Sequence, residues 1–142
     1  MVDPADLGRA LDKVGDRWSL QIVSALATGS HRFGELAEAL AGIAPNILVK
    51  RLRQLEADGI LTAAPYSRRP LRMRYELTPA GTELGDAIAL LGAWGAKRDN
   101  GQRSTPEPSH ERCGTPLEVR LWCPTCDQSV DRHMDQPELH WL

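Results

Sequence analysis

No stretch of this chain approaches the roughly 20 apolar residues that a helix needs to cross a bilayer. The opening thirty residues lack a basic start followed by an apolar run, and Asp3, Asp6, Asp12 and Asp16 are scattered through them instead. A secretory leader is therefore not expected, and the expectation is a cytoplasmic protein without a membrane partner. Cysteine is scarce: Cys113, Cys123 and Cys126 are the only three, all within the last thirty residues. An odd, clustered count in such a chain argues against a disulfide framework. Internal repeats are also lacking, as is any acid/base set of the kind that builds a catalytic pocket, so no enzyme is expected.

What is there suffices for one ordinary domain with an appendage. The chain has 142 residues, of which 42% are hydrophobic, enough for a core. The net charge of −2 averages two unlike parts. From Ala44 to Glu76 seven basic residues (Lys50, Arg51, Arg53, Arg68, Arg69, Arg72 and Arg74) face three acids, Glu56, Asp58 and Glu76, a balance of +4; the remainder stands at −6. A basic patch on an acidic body is the electrostatic footprint of a nucleic-acid binder, although charge alone fits a solvated face equally well.

The local signals set an order of elements. Asp3-Pro4 is a cap followed by a helix-starting proline, with Leu7, Leu11 and Val14 at helical spacing and Gly15 at the end. A second helix is expected over Arg17 to Ala27, with Trp18, Ile22, Ala25 and Leu26 inward and Gly29 as its stop. A third covers Phe33 to Leu40, and Gly42 is the turn. A fourth runs from Pro45 to Gly59, with Leu48, Leu52 and Leu55 on one face. Two strands are expected at Ile60 to Tyr66 and Arg72 to Thr78, joined by the basic loop Ser67 to Leu71. Thr78-Pro79 opens a long helix to about Arg98, marked by Leu84, Ile88, Leu91 and Trp94. Helix, helix, helix-turn-helix, basic-tipped hairpin and long helix is the order of a winged helix-turn-helix: mainly α, with a small β wing. The expected division is 1–98 for the DNA-binding domain, 99–109 for a polar linker, and 110–142 for a small zinc ribbon with an acidic tail.

Three motifs, in order and at matching spacing, resemble the HxlR family of bacterial regulators, relatives of the MarR group. They are LDKVGDRWSLQIV from Leu11, HRFGELAEALAGIAPNILVKRLRQLEADGIL from His31, and YSRRPLRMRYELTPAG from Tyr66. The resemblance covers about Ala5 to Lys97. It implies a homodimer whose terminal helices pack together, binding a partly palindromic operator near a promoter, often as a repressor. A small-molecule effector is also compatible with it. Two departures stand out. Many members carry a sensing cysteine just before the first helix; here the neighbourhood reads VDPADLG, so that route is closed. Many also carry serine before the proline that opens the recognition helix; here it is Ala44, at an expected cost of about 1 kcal/mol of capping.

DNA recognition needs side chains that pair with base edges and cations that grip phosphates. Asn46 is placed to read adenine, Lys50 and Arg53 to read guanine or hold phosphate, and Val49 to touch a thymine methyl. Their alternative is a solvated helix face. Arg51 lies off that face, suited to a phosphate or to an acid on the motif. Arg68 and Arg69 suit a wing tip entering the minor groove, while Arg72 and Arg74 share a strand face that points to DNA or to solvent. Trp18 and Trp94 would line an effector pocket at the dimer seam or, more plainly, pack the core and the seam.

The cysteine-bearing segment reads His110-x2-Cys113-Gly114, then Cys123-x2-Cys126. One imidazole and three thiols are a tetrahedral zinc set, and a closed set of four is structural rather than catalytic. Leu117, Val119 and Leu121 alternate between the knuckles as a short strand would. Asp127 stands where a second knuckle often has glycine, and His133 and His140 are less well placed donors. The competing readings are free thiols in a tail, a thiol- or metal-responsive regulator, a CxxC oxidoreductase using Cys123 and Cys126, and a winged-helix protein-interaction module whose basic face meets an acidic partner. The oxidoreductase is the weakest, because neither cysteine opens a helix within a βαβ pattern.

Overall fold

The computed structural model describes residues 3–96, 109–117 and 120–130. Lys97 and Arg98 of the expected long helix, the linker at 99–108, Glu118, Val119, and the tail with His133 and His140 lie outside these. The chain divides into two compact units, Met1–Gly95 and Ala96–Leu142.

In the first unit, helix α1 (Pro4–Val14) starts where Asp3 accepts the N–H of Ala5, with Pro4 in the first turn. Helix α2 (Arg17–Leu26) is capped by Asp16, which accepts from Trp18 and Ser19. The strand β1 (His31–Arg32) leads directly into α3 (Phe33–Ala39), where the Arg32 N–H donates to Glu35 at 2.6 Å. Helix α4 (Pro45–Ala57) follows, then strands β2 (Leu61–Arg68) and β3 (Leu71–Leu77), and helix α5 (Pro79–Ala96). The core lies between the helices and the root of the sheet. Ile22, Val23 and Leu26 of α2 meet Leu36 of α3 and Leu48, Leu52 and Leu55 of α4, with Leu61 closing the strand side.

Three features differ from the sequence expectation. The sheet has three strands, in the order β1-β3-β2, because His31 and Arg32 pair with Tyr75 and Arg74. Two residues carry no readable period, so this strand exists only through its partner. The hairpin is also longer than expected: Ser67 pairs with Arg72 and Arg68 with Leu71, which shortens the connection to Arg69-Pro70. Finally, the register shifts between Pro65 and Ser67, leaving Tyr66 as a bulge.

Thr78 clasps the wing root to α5. Its N–H donates to the Ile60 carbonyl at 3.0 Å, its hydroxyl donates to that of Gly59 at 2.6 Å, and the same oxygen accepts the N–H of Gly81 at 3.1 Å. Gly81 is buried, and a Cβ placed there would sit 2.0 Å from the Ile60 carbonyl oxygen. Only glycine lets the helix come this close.

The second unit has a two-stranded hairpin, β4 (Leu121–Cys123) and β5 (Gln128–Val130), with Cys123 opposite Gln128. Here the expected strand is displaced. Leu117 stands outside it, and the strand begins at Leu121 because its partner is the segment after the second knuckle.

Candidate nucleic-acid interface

Helix α4 turns one face inward and one outward. Leu48, Leu52 and Leu55 are almost wholly buried, which fixes the rotation of the helix. Asn46, Val49, Lys50 and Arg53 then stand exposed on the other side, Val49 being 37% accessible. This is the face that the 3.6-residue period predicts. At its start Ala44 makes no side-chain capping bond, as its chemistry requires, and Pro45 occupies the first turn.

Arg51 takes the second of its two expected roles. It is half-buried and pairs with Asp16 at 3.2 Å. Asp16 thus caps α2 and braces α4 together. Partial burial pushes the Asp16 carboxyl up. The Ser19 N–H, the Arg51 guanidinium and the Trp18 N–H outweigh that and hold it below the usual carboxylate range. Asp16→Ala should therefore cost about 1–2 kcal/mol at neutral pH through the lost cap and brace. Because the folded-state value is the lower one, this stability is present above the unfolded carboxylate range and is lost as pH falls through the folded value. Urea titrations of the wild type and the variant should converge on acidification; a gap that persists in acid would contradict the assignment.

The wing residues divide into two groups. Arg68, Arg69 and Arg72 are exposed at and beside the tip. Arg74 has partners within the protein: its guanidinium donates to the Ser30 hydroxyl at 3.0 Å and lies 5.9 Å from the Tyr66 ring. Arg32 covers the same ring at 4.6 Å. Arg32 and Tyr66 are thus site-shaping residues that the sequence did not single out. Their signal was absent because the strand pairing that joins them is non-local. The structure brings Asn46, Val49, Lys50 and Arg53 onto one helix and Arg68, Arg69 and Arg72 onto one hairpin, and it gives Arg51 and Arg74 structural partners.

Trp18 packs partly against the core, with the Arg17 guanidinium 4.8 Å from its ring, while Trp94 is 59% exposed on α5. One open polar groove of this unit is lined by Arg9, Asp12, Lys13, Arg51, Gln54 and Asp58, without either tryptophan. Lys13 reaches Asp58 across it at 3.3 Å, tying α1 to the end of α4. No helix among the described residues is long and apolar enough to cross a membrane.

In the second unit, the His110 Nδ1 lies 3.3 Å from the Cys113 sulfur. The Thr115 hydroxyl and N–H hold the Cys113 thiol below its ordinary range, and the N–H groups of Cys126 and Thr125 do the same for Cys123. The four expected donors are thus held as two pairs. No three potential metal donors form a single cluster among the described residues.

Comparison with known proteins agrees with the winged-helix fold of the first unit. An HTH-type transcriptional regulator of Mycobacterium tuberculosis, Rv3095, is 38% identical over 93% of this chain and 84% of its own length. A solved MarR-family transcriptional regulator from Enterococcus faecalis is 35% identical, with a TM-score of 0.60 over 68% of this chain and 88% of that one. A solved transcription factor from Pseudomonas aeruginosa is 32% identical, with a TM-score of 0.63 over 86% of this chain and 83% of that one. The sequence model of the HxlR-like helix-turn-helix family matches residues 13–103. The chain belongs to the HxlR-like helix-turn-helix family, whose members are DNA-binding transcriptional regulators and not enzymes.

Proposed function

We propose that the winged unit binds a partly palindromic operator as a homodimer and represses by occupying it. The observation that carries this reading is the outward face of α4. Its two polar readers, Asn46 and Arg53, flank Val49 and Lys50 on a helix whose opposite face is locked into the core. The helix enters the major groove, where paired hydrogen bonds distinguish bases, and the wing tip grips the backbone beside it.

The dimer reading rests on apolar surface that one copy leaves uncovered. Leu7 and Leu11 of α1 are each more than half exposed, as are Leu91 and Trp94 of α5. The first half of α5 is different: Leu84 and Ile88 pack against the core. Two copies joined through α1 and α5 would present two recognition helices about one DNA turn apart, roughly 34–36 Å.

Selection of bound sequences from random duplex DNA tests the reading. The expected result is an inverted repeat, bound by a dimer in sedimentation at micromolar concentration. Affinity should fall steeply with salt, with a slope of about −0.9 per phosphate contacted. A monomer, or binding without sequence preference, would remove the operator reading.

A further inference from the structure

We propose that the C-terminal unit is a zinc ribbon in which His110, Cys113, Cys123 and Cys126 hold one structural zinc ion per chain. The proposal does not rest on the DNA-binding reading.

The backbone builds the same device twice. His110 to Cys113 forms a turn between Ser109 and Pro116, which face each other in an antiparallel bridge. Cys123 to Cys126 forms a turn between β4 and β5. In both, two residues separate the donors, and a left-handed residue follows the second one: Gly114 at φ +70° and Asp127 at φ +54°. Asp127 is the single non-glycine residue with positive φ among the described residues. Aspartate is one of the few non-glycine residues that tolerate that region, and the backbone adopts it at the position equivalent to Gly114. Such a turn bends N–H groups back over its first donor residue. The N–H groups of Cys113 and Gly114 return to the His110 carbonyl at 3.2 and 2.8 Å.

Among the described residues of this unit no apolar side chain is fully buried around these turns. Leu117 and Trp122 are each 58% exposed, and Cys123 and Val130 are only half-buried. A segment this small needs a staple, and a metal shared by two knuckles is one. Three thiolates and an imidazole are soft, borderline ligands suited to zinc rather than to magnesium or calcium. The ion draws the two pairs into one tetrahedron, and each cysteine releases its thiol proton to solvent on binding. Four protein donors leave no open position, so the ion holds structure and does not activate water.

The test uses the full-length protein, purified under reducing conditions without chelator and assayed for zinc by mass spectrometry. The expected result is one zinc per chain, with near-complete loss in Cys123→Ser and in His110→Ala, and full retention in His31→Ala. Replacement by Co2+ gives a second readout, since the sulfur-to-cobalt charge-transfer band reports three thiolates in the wild type and should be lost in Cys113→Ser. Limited proteolysis should cleave within 110–130 only after the metal is removed. Zinc-free protein with three freely titrating thiols would overturn the proposal in favour of thiol sensing. Full zinc retention in both Cys123→Ser and His110→Ala would overturn the donor set.

Discussion

Gly81→Ala will destabilise the winged unit by about 2–3 kcal/mol, near the upper end of the overpacking range. The added methyl would meet the Ile60 carbonyl oxygen at 2.0 Å and its carbon at 3.1 Å. That carbonyl cannot swing aside, because it accepts the Thr78 N–H and stands beside the Thr78 hydroxyl. Either α5 shifts off the strand root, or the clasp between α5 and the wing opens. Helix propensity works in the opposite direction, favouring alanine by about 0.5–1 kcal/mol, and is too small to win. Gly34 in α3 is the control: nothing lies within 4 Å of its would-be Cβ, so Gly34→Ala should be neutral or stabilise by up to about 1 kcal/mol. Urea midpoints measure both, and an unshifted midpoint for Gly81→Ala would mean that the close approach does not constrain the fold.

The second large effect concerns base recognition. Arg53→Ala and Asn46→Ala should relax preference at particular operator positions, each by roughly 1–3 kcal/mol for a paired base contact. Arg68→Ala and Arg69→Ala should instead weaken all sequences alike and flatten the salt slope by about 0.9 for each lost phosphate contact. Arg74→Ala separates a third class. Its partners are Ser30 and Tyr66, so it should lower thermal stability with little change in salt slope. Binding measured against operator variants at several salt concentrations resolves all three. If the α4 and wing-tip variants behave alike, the division of labour between them fails.

The architecture was legible where chemistry acts locally. Asp3-Pro4 and Thr78-Pro79 open helices where expected, and the spacing of Leu48, Leu52 and Leu55 fixed the outward face of α4 before any coordinates did. Legibility failed where the partner is far away in sequence. The two-residue strand β1 is defined by Tyr75 and Arg74, more than forty residues on. Arg74 reads as a free cation until Ser30 is placed beside it, and the acid expected for Arg51 has no identity until Asp16 is placed there. The bulge at Tyr66 depends on the register of a hairpin whose turn is shorter than its loop composition suggested. In the second unit, the cysteine spacing was visible, but the left-handed backbone at Asp127 was not, since aspartate disguises it.

Tyr66 has a consequence for the DNA. It sits at the bulge with Arg32 over its ring at 4.6 Å and Arg74 at 5.9 Å, and Arg32 is the last residue before α3. The outer part of the wing is therefore tied to the entrance of the helix-turn-helix. On the proposed docking, with α4 in the groove and Arg69 on the backbone, the offset between them is a caliper whose setting these contacts favour before any duplex arrives. A duplex whose helical phase does not match that setting must itself bend or twist to fit. The base pairs spanned between the two jaws would then be selected for compliance rather than for identity, although no side chain touches them.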